Sequence, residues 1–500
     1  MINPILLPLY QSTGIRALEQ AAPSATPLMA RAGLAAAELA RELATGKDVL
    51  VLAGPGNNGG DAFEAAVHLK SWFYRVCVVF AGERDKLPPD ARAALAKWQG
   101  AGGGLSDTIP SETQFCLVID GLFGIGLTRP LSGIHADLVN TANALGNRGS
   151  RILALDCPSG LDADTGRALG SVIRATHTIT FLALKPGLLT LDGPDLCGSL
   201  RVARLGLDAA TILSAQGHLL DAGVLGLLQT RPRNFHKGRA GSLGILGGCS
   251  GMVGAALLAG RAALKAGAGK VLLGLLTDQA PSVDYAQPEL MLRTPTALLE
   301  DSGLSALVAG PGLGKRDAAS KALKRALTLE IPLTLDADAL NLIAAERPLQ
   351  MALAKRKYPS LLTPHPAEAA RLLQTDTADI QADRVGAALR LAERTHAHVV
   401  LKGNGSVIAT PAGKWWINSS GNPGMASAGM GDVLAGLAGS LLAQGYSAES
   451  ALLLAVHVHG AAADALASKG TGPIGLTASE VIEEVRKLLN TPAKDRNGER

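Results

Sequence analysis

Polar side chains follow three predicted strands in the first 210 residues, at the point where each strand ends. They are Asn57, Asn58, Asp61, Asp120, Asp156 and Ser159. Because the carboxyl ends of parallel strands meet at one edge of a sheet, we expect these groups to face one crevice. Nearby glycines would let the backbone approach a ligand closely. Any single carboxylate here could be a helix cap, but the whole set predicts a binding site.

The turn after the first of these strands also fits a dinucleotide-binding pattern. Gly54, Gly56 and Gly59 satisfy GxGxxG, and Glu83 lies just past the next predicted strand. An NAD-binding Rossmann turn is therefore one interpretation. Two asparagines and an aspartate in the same turn argue against it, because a carboxylate beside a pyrophosphate repels it. These residues suit a cation, a sugar or a nicotinamide group, whereas a strand-to-helix turn capped by Asp61 is the purely structural alternative.

The strongest local pattern in the second half is AGMGD at residues 428–432, which leads into a predicted helix. Glycine N–H groups at a helix N-terminus form an anion site, and the helix dipole adds positive potential there. The Asp432 carboxylate is poorly suited to hold phosphate. It is well suited to accept a proton from a hydroxyl that attacks phosphorus, with a plain helix cap as the alternative role.

A second glycine-rich segment, AGPGLGK at residues 309–315, is not a Walker A loop. Ala309 occupies the position of the required first glycine, and Arg316 replaces the Ser or Thr that would hold magnesium. The sequence therefore excludes a P-loop ATPase.

Length and composition indicate two globular domains. A chain of 500 residues exceeds the size at which a single hydrophobic core stops growing. Its 47% hydrophobic and 18% charged residues can form buried cores and argue against disorder. A Leu- and Gly-rich stretch at about residues 210–232 lacks a clear strand, so we expect domains at residues 1–215 and 225–500.

Short β-branched runs alternate with helix-like segments in both halves. This alternation predicts α/β domains with parallel sheets between helical layers. The strands predicted in the first half are residues 48–53, 75–80, 115–120, 151–156 and 177–182. Those predicted in the second half are residues 242–246, 270–276, 306–309, 332–336, 360–363 and 398–402. Residues 430–488 instead predict successive helices.

Charge, aromatic content and cysteines exclude several function classes. A formal net charge of +4 is too dilute to indicate a nucleic-acid partner, and 3% aromatic residues argue against base stacking. Five cysteines without CxxC spacing predict neither a zinc site nor a disulfide framework, so we expect a cytoplasmic protein. The N-terminus lacks the basic flank of a signal peptide, and residues 240–260 are too rich in glycine to span a membrane.

Three blocks of the first half resemble the NAD(P)H-hydrate epimerase family. They are GPGNNGGD at 54–61, DGLFGIGLTRP at 120–130 and LDCPSGLDADTG at 155–166. The resemblance covers about residues 10–205 and implies a three-layer, Rossmann-like α/β/α fold with a bound potassium ion. The ligands it implies for potassium are Asn58, Asp120 and Ser159. Ala62 departs from the family's usual glycine, and we expect its methyl group to narrow the pocket.

The same resemblance implies which residues contact the hydrated dinucleotide. They are Asn57, Asn58, Gly59, Gly60, Asp61, Gly124, Ile125, Gly126, Leu127, Thr128, Arg129, Pro130 and Asp156. Among them Asp156 is our candidate for acid–base assistance to epimerisation.

In the second half, GMGD and KGNGS at 402–406 resemble the ribokinase-like superfamily. GGCSGMVGAA at 247–256, AGPGLG, LDADALN at 335–341 and TPHPAE at 363–368 narrow the resemblance to the ADP/ATP-dependent NAD(P)H-hydrate dehydratase family, over about residues 230–490. The implied substrate contacts are Ala255, Gly312, His365 and Asp432, although His365 could instead be a buried turn histidine. The implied nucleotide contacts are Lys402, Gly403, Asn404, Gly405, Ser406 and Gly431. Met252 stands where the family usually has an aromatic residue.

Together the two resemblances predict a bifunctional enzyme, an isomerase and a carbon–oxygen lyase, that repairs hydrated NADH and NADPH. The first domain would interconvert the R and S hydrates at nicotinamide C6. The second would dehydrate the S hydrate at the expense of ADP, giving AMP and phosphate. The alternative is a ribokinase-like kinase of a vitamin precursor or sugar, fused to a non-catalytic Rossmann-like binding module.

The predicted cofactors and partners follow from this function. We expect ADP, with ATP as the alternative, together with Mg²⁺ and K⁺. The partners are small molecules, namely hydrated NADH or NADPH and ADP, without nucleic acid or membrane. We also expect a homo-oligomer whose number of subunits the sequence does not fix.

Overall fold

The computed structural model describes residues 7–23, 27–127 and 129–491. The chain forms two compact units, Leu7–His218 and the chain from Leu219 onward. Both units alternate strands with helices around a largely parallel sheet, which confirms the predicted α/β class.

The first unit contains a parallel sheet in the order β3-β2-β4-β5-β6-β7. Its strands are β2 (Asp48–Ala53), β3 (Arg75–Phe80), β4 (Leu117–Gly121), β5 (Arg151–Leu155), β6 (His177–Phe181) and β7 (Ser199–Ala203). Two further short strands, β1 (Pro8–Leu9) and β8 (Gly217–Leu220), pair antiparallel with each other. Its helices are α1 (Ser12–Ala21), α2 (Leu28–Leu43), α3 (Asn57–Ser71), α4 (Pro89–Gly100), α5 (Ile134–Asn147), α6 (Gly193–Cys197) and α7 (Ala209–Ile212).

Strand β2 shows how this sheet is buried on both faces. Val49, Val51 and Ala53 belong to one hydrophobic cluster, whereas Leu50 and Leu52 belong to another. Since successive strand residues point to opposite faces, the run of apolar residues fills two cores. Helices α1 to α4 supply residues to the first core, and α5 supplies residues to the second. The first unit therefore has three layers.

The second unit carries a sheet in the order β17-β16-β15-β14-β13-β12-β9-β10-β11, in which β15, β16 and β17 pair antiparallel. Its strands are β9 (Ser242–Gly247), β10 (Lys270–Leu275), β11 (Met291–Arg293), β12 (Ala306–Ala309), β13 (Leu333–Leu335), β14 (Ser360–Leu362), β15 (His398–Leu401), β16 (Val407–Ala409) and β17 (Trp415–Asn418).

Eleven α-helices are described in this unit. They are α8 (Val253–Lys265), α9 (Pro295–Leu299), α10 (Asp317–Leu327), α11 (Asp338–Ala345), α12 (Arg347–Ala354), α13 (Pro366–Leu373), α14 (Thr377–Ala382), α15 (Arg384–Thr395), α16 (Met430–Ala443), α17 (Ala448–Ser468) and α18 (Ala478–Asn490). The last three are the helices predicted for residues 430–488.

Among the described residues, helix α17 has the length and the apolar composition that a membrane-spanning helix needs. However, 72% of its most apolar stretch is buried inside the protein. Its side chains pack with α8, α16 and α18 in the main hydrophobic cluster of the unit. The stretch considered from the sequence, residues 240–260, instead forms β9, a glycine-rich turn and the first part of α8.

The predicted strands match observed ones to within two residues at each end. Strands β7 and β11, the hairpin β16–β17 and the short strands β1 and β8 were not predicted. Most of these are short or lie at a sheet edge, where the pattern of buried residues is weak; β11, for example, is mostly exposed.

Candidate functional sites

The carboxyl edge of the first sheet brings the turn after β2 against β4. Gly54 donates its N–H to the Gly121 carbonyl at 3.1 Å, and a Cβ at Gly54 would lie 1.8 Å from the Leu122 carbonyl oxygen. A side chain at Gly54 is therefore impossible without moving β4. This contact places the N-terminus of α3 beside the end of β4.

Asp120 forms the buried centre of this edge. Its carboxylate accepts hydrogen bonds from Ser159 Oγ at 2.6 Å, Ser159 N at 2.8 Å and Leu122 N at 3.2 Å. Both Asp120 and Ser159 are almost fully buried. Burial raises the pKa of Asp120 to about 6, against the hydrogen bonds from Ser159 and Leu122, which lower it. The structure thus brings two of the three predicted potassium ligands into direct contact.

Asn58, the third predicted ligand, is 8% exposed, and its side-chain Oδ1 and Nδ2 have no hydrogen-bond partner among the described residues. A Cβ at Gly124 would lie 3.5 Å from Asn58 Oδ1 and 3.4 Å from Asp156 Oδ2. Gly124 therefore lies between the amide and the carboxylate. A buried amide without a partner is costly, so this group fits a site where a bound ion or substrate supplies the missing contact.

Asp156 follows β5 with φ of 64°, a conformation that non-glycine residues seldom adopt and that often marks a functional position. Its Oδ1 accepts hydrogen bonds from Lys185 Nζ, Phe181 N at 3.1 Å and Thr180 Oγ1 at 3.4 Å. These contacts leave Oδ2 as the oxygen beside Gly124. The carboxylate is thereby fixed with one oxygen available to the crevice.

Lys185 was not identified from the sequence. Its side chain is fully buried, and Nζ also donates to Thr180 Oγ1 at 2.8 Å and to the Phe181 carbonyl at 3.0 Å. All three N–H groups of the ammonium are thus used within the protein. The only hint in the sequence was a lysine placed shortly after a buried strand.

Asp61, in the first turns of α3, has a pKa raised well above its usual range. Burial is the main cause, followed by the nearby carboxylates of Asp156 and Glu19. Three acidic groups thus lie near one another at this end of the unit. Gly60 is packed against Met29, since a Cβ there would lie 2.6 Å from the Met29 sulfur.

Residues 124–127, 129 and 130 lie in a loop beside this crevice. Leu127 donates its N–H to the Gly124 carbonyl at 3.4 Å, and Ile125 packs partly against the core of the unit. Gly126, Arg129 and Pro130 are exposed, and Thr128 lies outside the described residues. The structure therefore places Gly124 in the crevice, and the following residues on the adjoining loop.

The expectation for Ala62 has to be corrected. Ala62 is fully buried in the hydrophobic core, and a Cβ at Gly121 would lie 2.5 Å from its methyl group. The methyl group thus packs under β4, where Gly121 leaves room for it, and does not narrow the crevice.

In the second unit, Gly429 is the N-cap of α16 with φ of 89°, and Asp432 lies in the first turn. Burial raises the pKa of Asp432 to about 7, with the Asp336 and Asp338 carboxylates adding to this effect and Lys402 opposing it. An acid with a pKa near neutrality is well matched to accept a proton during catalysis. This pKa would suit a base, and the catalytic role of Asp432 stays a prediction.

Lys402 and Asp336 form an ion pair at the same helix end. Lys402 Nζ lies 3.1 Å from Asp336 Oδ1, which also accepts from Thr363 Oγ1 at 2.6 Å. A Cβ at Gly431 would lie 3.2 Å from Lys402 Nζ and 3.5 Å from Asp336 Oδ2. Burial lowers the pKa of Lys402, but Asp336, Glu368 and Asp432 outweigh it and raise the pKa overall. The structure therefore joins Lys402 and Gly431, both predicted nucleotide contacts.

The loop at residues 402–406 is held from beneath by Arg384, which the sequence did not single out. The buried Arg384 guanidinium donates to the carbonyls of Leu401, Lys402 and Gly405 at 3.3 to 3.5 Å. Gly403, with φ of 144°, passes over it so closely that a Cβ would lie 2.8 Å from the guanidinium. Gly403 and Asn404 are exposed, whereas Gly405 and Ser406 are half-buried.

His365 is an exposed helix cap. Its Nδ1 accepts from Ala367 N at 3.2 Å, its own N–H donates to Glu368 Oε2 at 2.9 Å, and its side chain is 48% exposed. The alternative of a buried turn histidine is therefore wrong. The preceding Pro364 carbonyl accepts from Lys402 N at 2.9 Å, so His365 adjoins the nucleotide loop.

Ala255 and Gly312, two predicted substrate contacts, lie together. Gly312 has φ of 57°, and a Cβ there would lie 3.2 Å from the Ala255 Cβ and 2.5 Å from the Met252 carbonyl oxygen. Cys249 N donates to the Gly312 carbonyl at 2.6 Å, which joins the two glycine-rich turns. Met252 is 43% exposed and leaves this side of the site open.

A buried histidine lies near Lys402. His459 in α17 is 5% exposed, and its Nε2 has no hydrogen-bond partner among the described residues. Burial, with a smaller effect of the Lys402 charge, lowers its pKa to about 4. His459 is therefore neutral at physiological pH and adds no second positive charge beside Lys402.

Metal binding was tested on these residues. Within the described part of the chain, no group of three or more His, Cys, Asp or Glu side chains could hold a metal ion. A large monovalent ion needs fewer carboxylates and more neutral oxygens than a divalent one. Asn58, Asp120 and Ser159 fit potassium in this sense, whereas magnesium would have to enter with the phosphates of a nucleotide.

The chain matches two family models. The model described as YjeF-related protein N-terminus matches residues 25–187. The model described as NAD(P)H-hydrate dehydratase matches residues 243–487. The two matches fall on the first and second unit.

Several curated relatives match nearly the whole chain. The bifunctional NAD(P)H-hydrate repair enzyme Nnr of Escherichia coli (strain K12) is 38% identical, over 99% of this chain and 97% of that protein. The enzyme of the same name from Coxiella burnetii is 37% identical, over 96% and 99%. Among solved structures, the ADP/ATP-dependent NAD(P)H-hydrate dehydratase of Bacillus subtilis, co-crystallised with ATP/Mg²⁺, is 31% identical with a TM-score of 0.48, over 54% of this chain and 96% of that one.

Two α/β units, each with a buried carboxylate at the glycine-rich edge of a parallel sheet, define a two-domain enzyme that acts on small molecules. The chain belongs to the bifunctional NAD(P)H-hydrate repair enzyme family, with an epimerase domain followed by a dehydratase domain. This confirms the predicted function over the alternative of a kinase fused to a non-catalytic module.

Proposed function

We propose that the crevice of the first unit interconverts R and S hydrates of NADH and NADPH, and that the α16 site dehydrates the S hydrate with ADP. The observation that carries this division of labour is the carboxylate of each site. Asp156 has one oxygen fixed by the protein and the other beside Gly124, and Asp432 has a pKa of about 7 at a helix N-terminus.

In the first unit, Asp156 Oδ2 accepts the proton of the C6 hydroxyl. The bond between C6 and the ring nitrogen then breaks, the nitrogen takes up a proton, and C6 becomes a carbonyl. Closure on the other face of this carbonyl returns the hydroxyl proton and gives the opposite epimer. Lys185 holds Asp156 in one orientation throughout, because its ammonium is fixed by two further acceptors.

Potassium at Asn58, Asp120 and Ser159 would offset the buried Asp120 charge and fix the crevice. Asn58 is the ligand that supports this most directly, since its amide is buried without a partner in the described structure. Ser159 and Asp120 already lie in contact, so one ion can contact both. The residues of this chain thus supply both neutral oxygens and one carboxylate.

In the second unit, the C6 hydroxyl oxygen attacks the terminal phosphorus of ADP while Asp432 accepts its proton. The bond from phosphorus to the bridging oxygen breaks, and AMP leaves. The N–H groups at the start of α16 and the Lys402 ammonium stabilise the negative charge that develops. Gly431 permits this because no side chain separates Lys402 from the helix end.

Elimination completes the repair. The C6–O bond breaks, phosphate leaves with the electron pair, and loss of the C5 proton restores the dihydronicotinamide ring. Phosphate is a much better leaving group than hydroxide, which is why the hydroxyl is phosphorylated first. The overall reaction transfers one water from the hydrate to ADP, giving AMP and phosphate.

The nucleotide is ADP, bound as its magnesium complex. The loop at 402–406 and Gly431 hold its phosphates, and His365 and the Ala255–Gly312 contact line the side where the hydrated nicotinamide binds. The partners are small molecules, since the charge of +4 on 500 residues offers little attraction to nucleic acid. We further propose a cytoplasmic homo-oligomer, the location resting on free, scattered cysteines.

Recovery of NADH absorbance from purified R and S hydrates tests the proposal. The S hydrate should be converted with ADP faster than with ATP, and the R hydrate should be converted at a rate set by the first unit. Absence of recovery with either nucleotide would contradict the dehydratase function. Conversion of S alone, with R unchanged in a chromatographic assay, would contradict the epimerase function.

A further inference from the structure

The Lys402–Asp336 ion pair poses an electrostatic question. Lys402 Nζ would lie 3.2 Å from a Cβ at Gly431, so its positive charge lies at the positive end of the α16 dipole. Two positive potentials at one place repel each other, and a nearby anion is needed to hold the ammonium there. Asp336 Oδ1, 3.1 Å from Lys402 Nζ, is that anion.

Asp336 is itself held firmly. It is 1% exposed, Thr363 Oγ1 donates to the same Oδ1, and its backbone N–H donates to the Ala309 carbonyl at 3.1 Å. Gly310 packs against it so tightly that a Cβ would lie 1.8 Å from the Asp336 carbonyl oxygen. The next residue, Ala337, has φ of 49° and ψ of −117°, an unfavourable conformation for a residue with a side chain. The carboxylate therefore cannot follow the lysine.

Lys402 is the partner that can move. Its side chain is 23% exposed, whereas that of Asp336 is 2% exposed. A lysine has a flexible stem and three donors, so Nζ can keep one bond to Asp336 while it donates to a phosphate oxygen. The fixed Asp336 carboxylate therefore determines the position of the mobile Lys402 ammonium group.

From this arrangement, and resting on the proposed function, we propose that Asp336 is a positioning residue for phosphoryl transfer, which holds the Lys402 ammonium at the α16 N-terminus for the phosphate of ADP. Its effect passes through Lys402, with which its Oδ1 forms an ion pair. Its nearness to Gly431 also places its charge beside Asp432.

The test is Asp336→Asn, which keeps the shape of the side chain and removes its charge. We expect kcat of the dehydratase to fall about 10- to 100-fold, since the cation is no longer aimed at the phosphoryl group. The affinity for ADP, measured by calorimetry, should change much less, because loss of a negative charge near the phosphates offsets the misplaced lysine.

The pH profile separates positioning from a purely structural role. Asp336, Asp338 and Lys402 are the charged groups that act on Asp432, while Glu368 and the neutral His459 face Lys402. Asp336→Asn should move the acid limb of kcat to lower pH, because a negative neighbour of Asp432 is lost. Lys402→Met should move it to higher pH, because a positive neighbour is lost.

A matched control and a milder variant complete the design. Asp284 is also buried and paired to an arginine, Arg261, at 2.7 Å, so Asp284→Asn removes a buried ion pair elsewhere in the unit and should leave kcat unchanged. Thr363→Val keeps the charge of Asp336 and removes one of its anchors, and should give a smaller loss of kcat in the same direction.

The outcomes are distinct. If folded Asp336→Asn has the kcat and acid limb of the wild type, the positioning role is refuted although the proposed function stands. The same holds if Asp284→Asn loses as much activity as Asp336→Asn. If the wild-type enzyme itself recovers no NADH with ADP, it is the proposed function that fails.

Discussion

Both units carry an aspartate–lysine pair at the carboxyl edge of a parallel sheet, and the two pairs are built in opposite ways. In the first unit the lysine, Lys185, is completely buried, whereas the Asp156 side chain is 12% exposed. In the second unit the Asp336 side chain is 2% exposed, whereas the Lys402 side chain is 23% exposed. In each pair the buried partner is anchored by further hydrogen bonds.

This contrast indicates which member of each pair meets the ligand. Lys185 has all its donors occupied by protein, so it can act only by fixing Asp156. Asp336 is almost fully buried and its Oδ1 is held by Thr363, so it is suited to fix Lys402. The same two residue types thus present a base in one unit and a cation in the other, as a proton transfer and a phosphoryl transfer require.

The largest effect should come from removing the Asp156 carboxylate, the less buried member of the first pair. Asp156→Asn should lower the rate of epimerisation by about 100- to 10,000-fold, the usual contribution of a general acid–base group. Chromatographic separation of R and S hydrates over time measures the rate. Asp48→Asn is the control, because Asp48 is the first residue of β2 and the crevice lies at the other end of that strand. This variant should epimerise the hydrates at the normal rate. Equal rates for Asp156→Asn and wild type would remove Asp156 from the reaction.

Loss of the buried lysine should instead be seen in stability. Lys185→Met leaves the Asp156 charge unpaired in a largely buried place, which costs about 3–5 kcal/mol. Lys402→Met also leaves a carboxylate unpaired, and the Asp336 side chain is only 2% exposed, so we expect a cost of the same order. Urea unfolding of the two variants compares these costs. Unchanged stability of Lys185→Met would contradict the role of Lys185 as the partner that offsets the Asp156 charge.

The sequence was sufficient to predict where the candidate site carboxylates lie. It was insufficient to predict the residues that hold the candidate site groups by hydrogen bonds. Asp120, Asp156 and Asp432 lie at ends of strands or at the start of a helix, where glycines and a change of hydrophobic period mark them. Lys185, Thr363 and Arg384 are distant in sequence from the groups they hold, so only the fold brings them near. The position of the Ala62 methyl group could not be predicted from the sequence for the same reason, since it depends on how α3 packs against β4.

The pH dependence of dehydration tests the base of the second unit. Because the pKa of Asp432 is raised to about 7, its ionised, proton-accepting form is lost as pH falls through 7. The dehydration rate should then fall about tenfold for each pH unit below 7. Stopped-flow measurement of NADH recovery from the S hydrate gives the profile. A rate that stays constant down to pH 5 would exclude Asp432 as the base.

The smallest expected effect concerns the loop that carries Lys402. Arg384→Lys cannot reach the carbonyls of Leu401, Lys402 and Gly405 together, and loss of one such bond should weaken ADP binding about 2- to 10-fold. Arg356→Lys is a matched control, since Arg356 donates to the Leu327, Leu329 and Ile331 carbonyls outside the loop. Titration calorimetry with ADP compares the variants. The loop fixes the backbone of Lys402, whereas Asp336 fixes its ammonium group. If Arg384→Lys and Arg356→Lys weaken ADP binding equally, the contacts of Arg384 with the loop do not contribute to ADP binding, and Asp336 is the residue that positions Lys402.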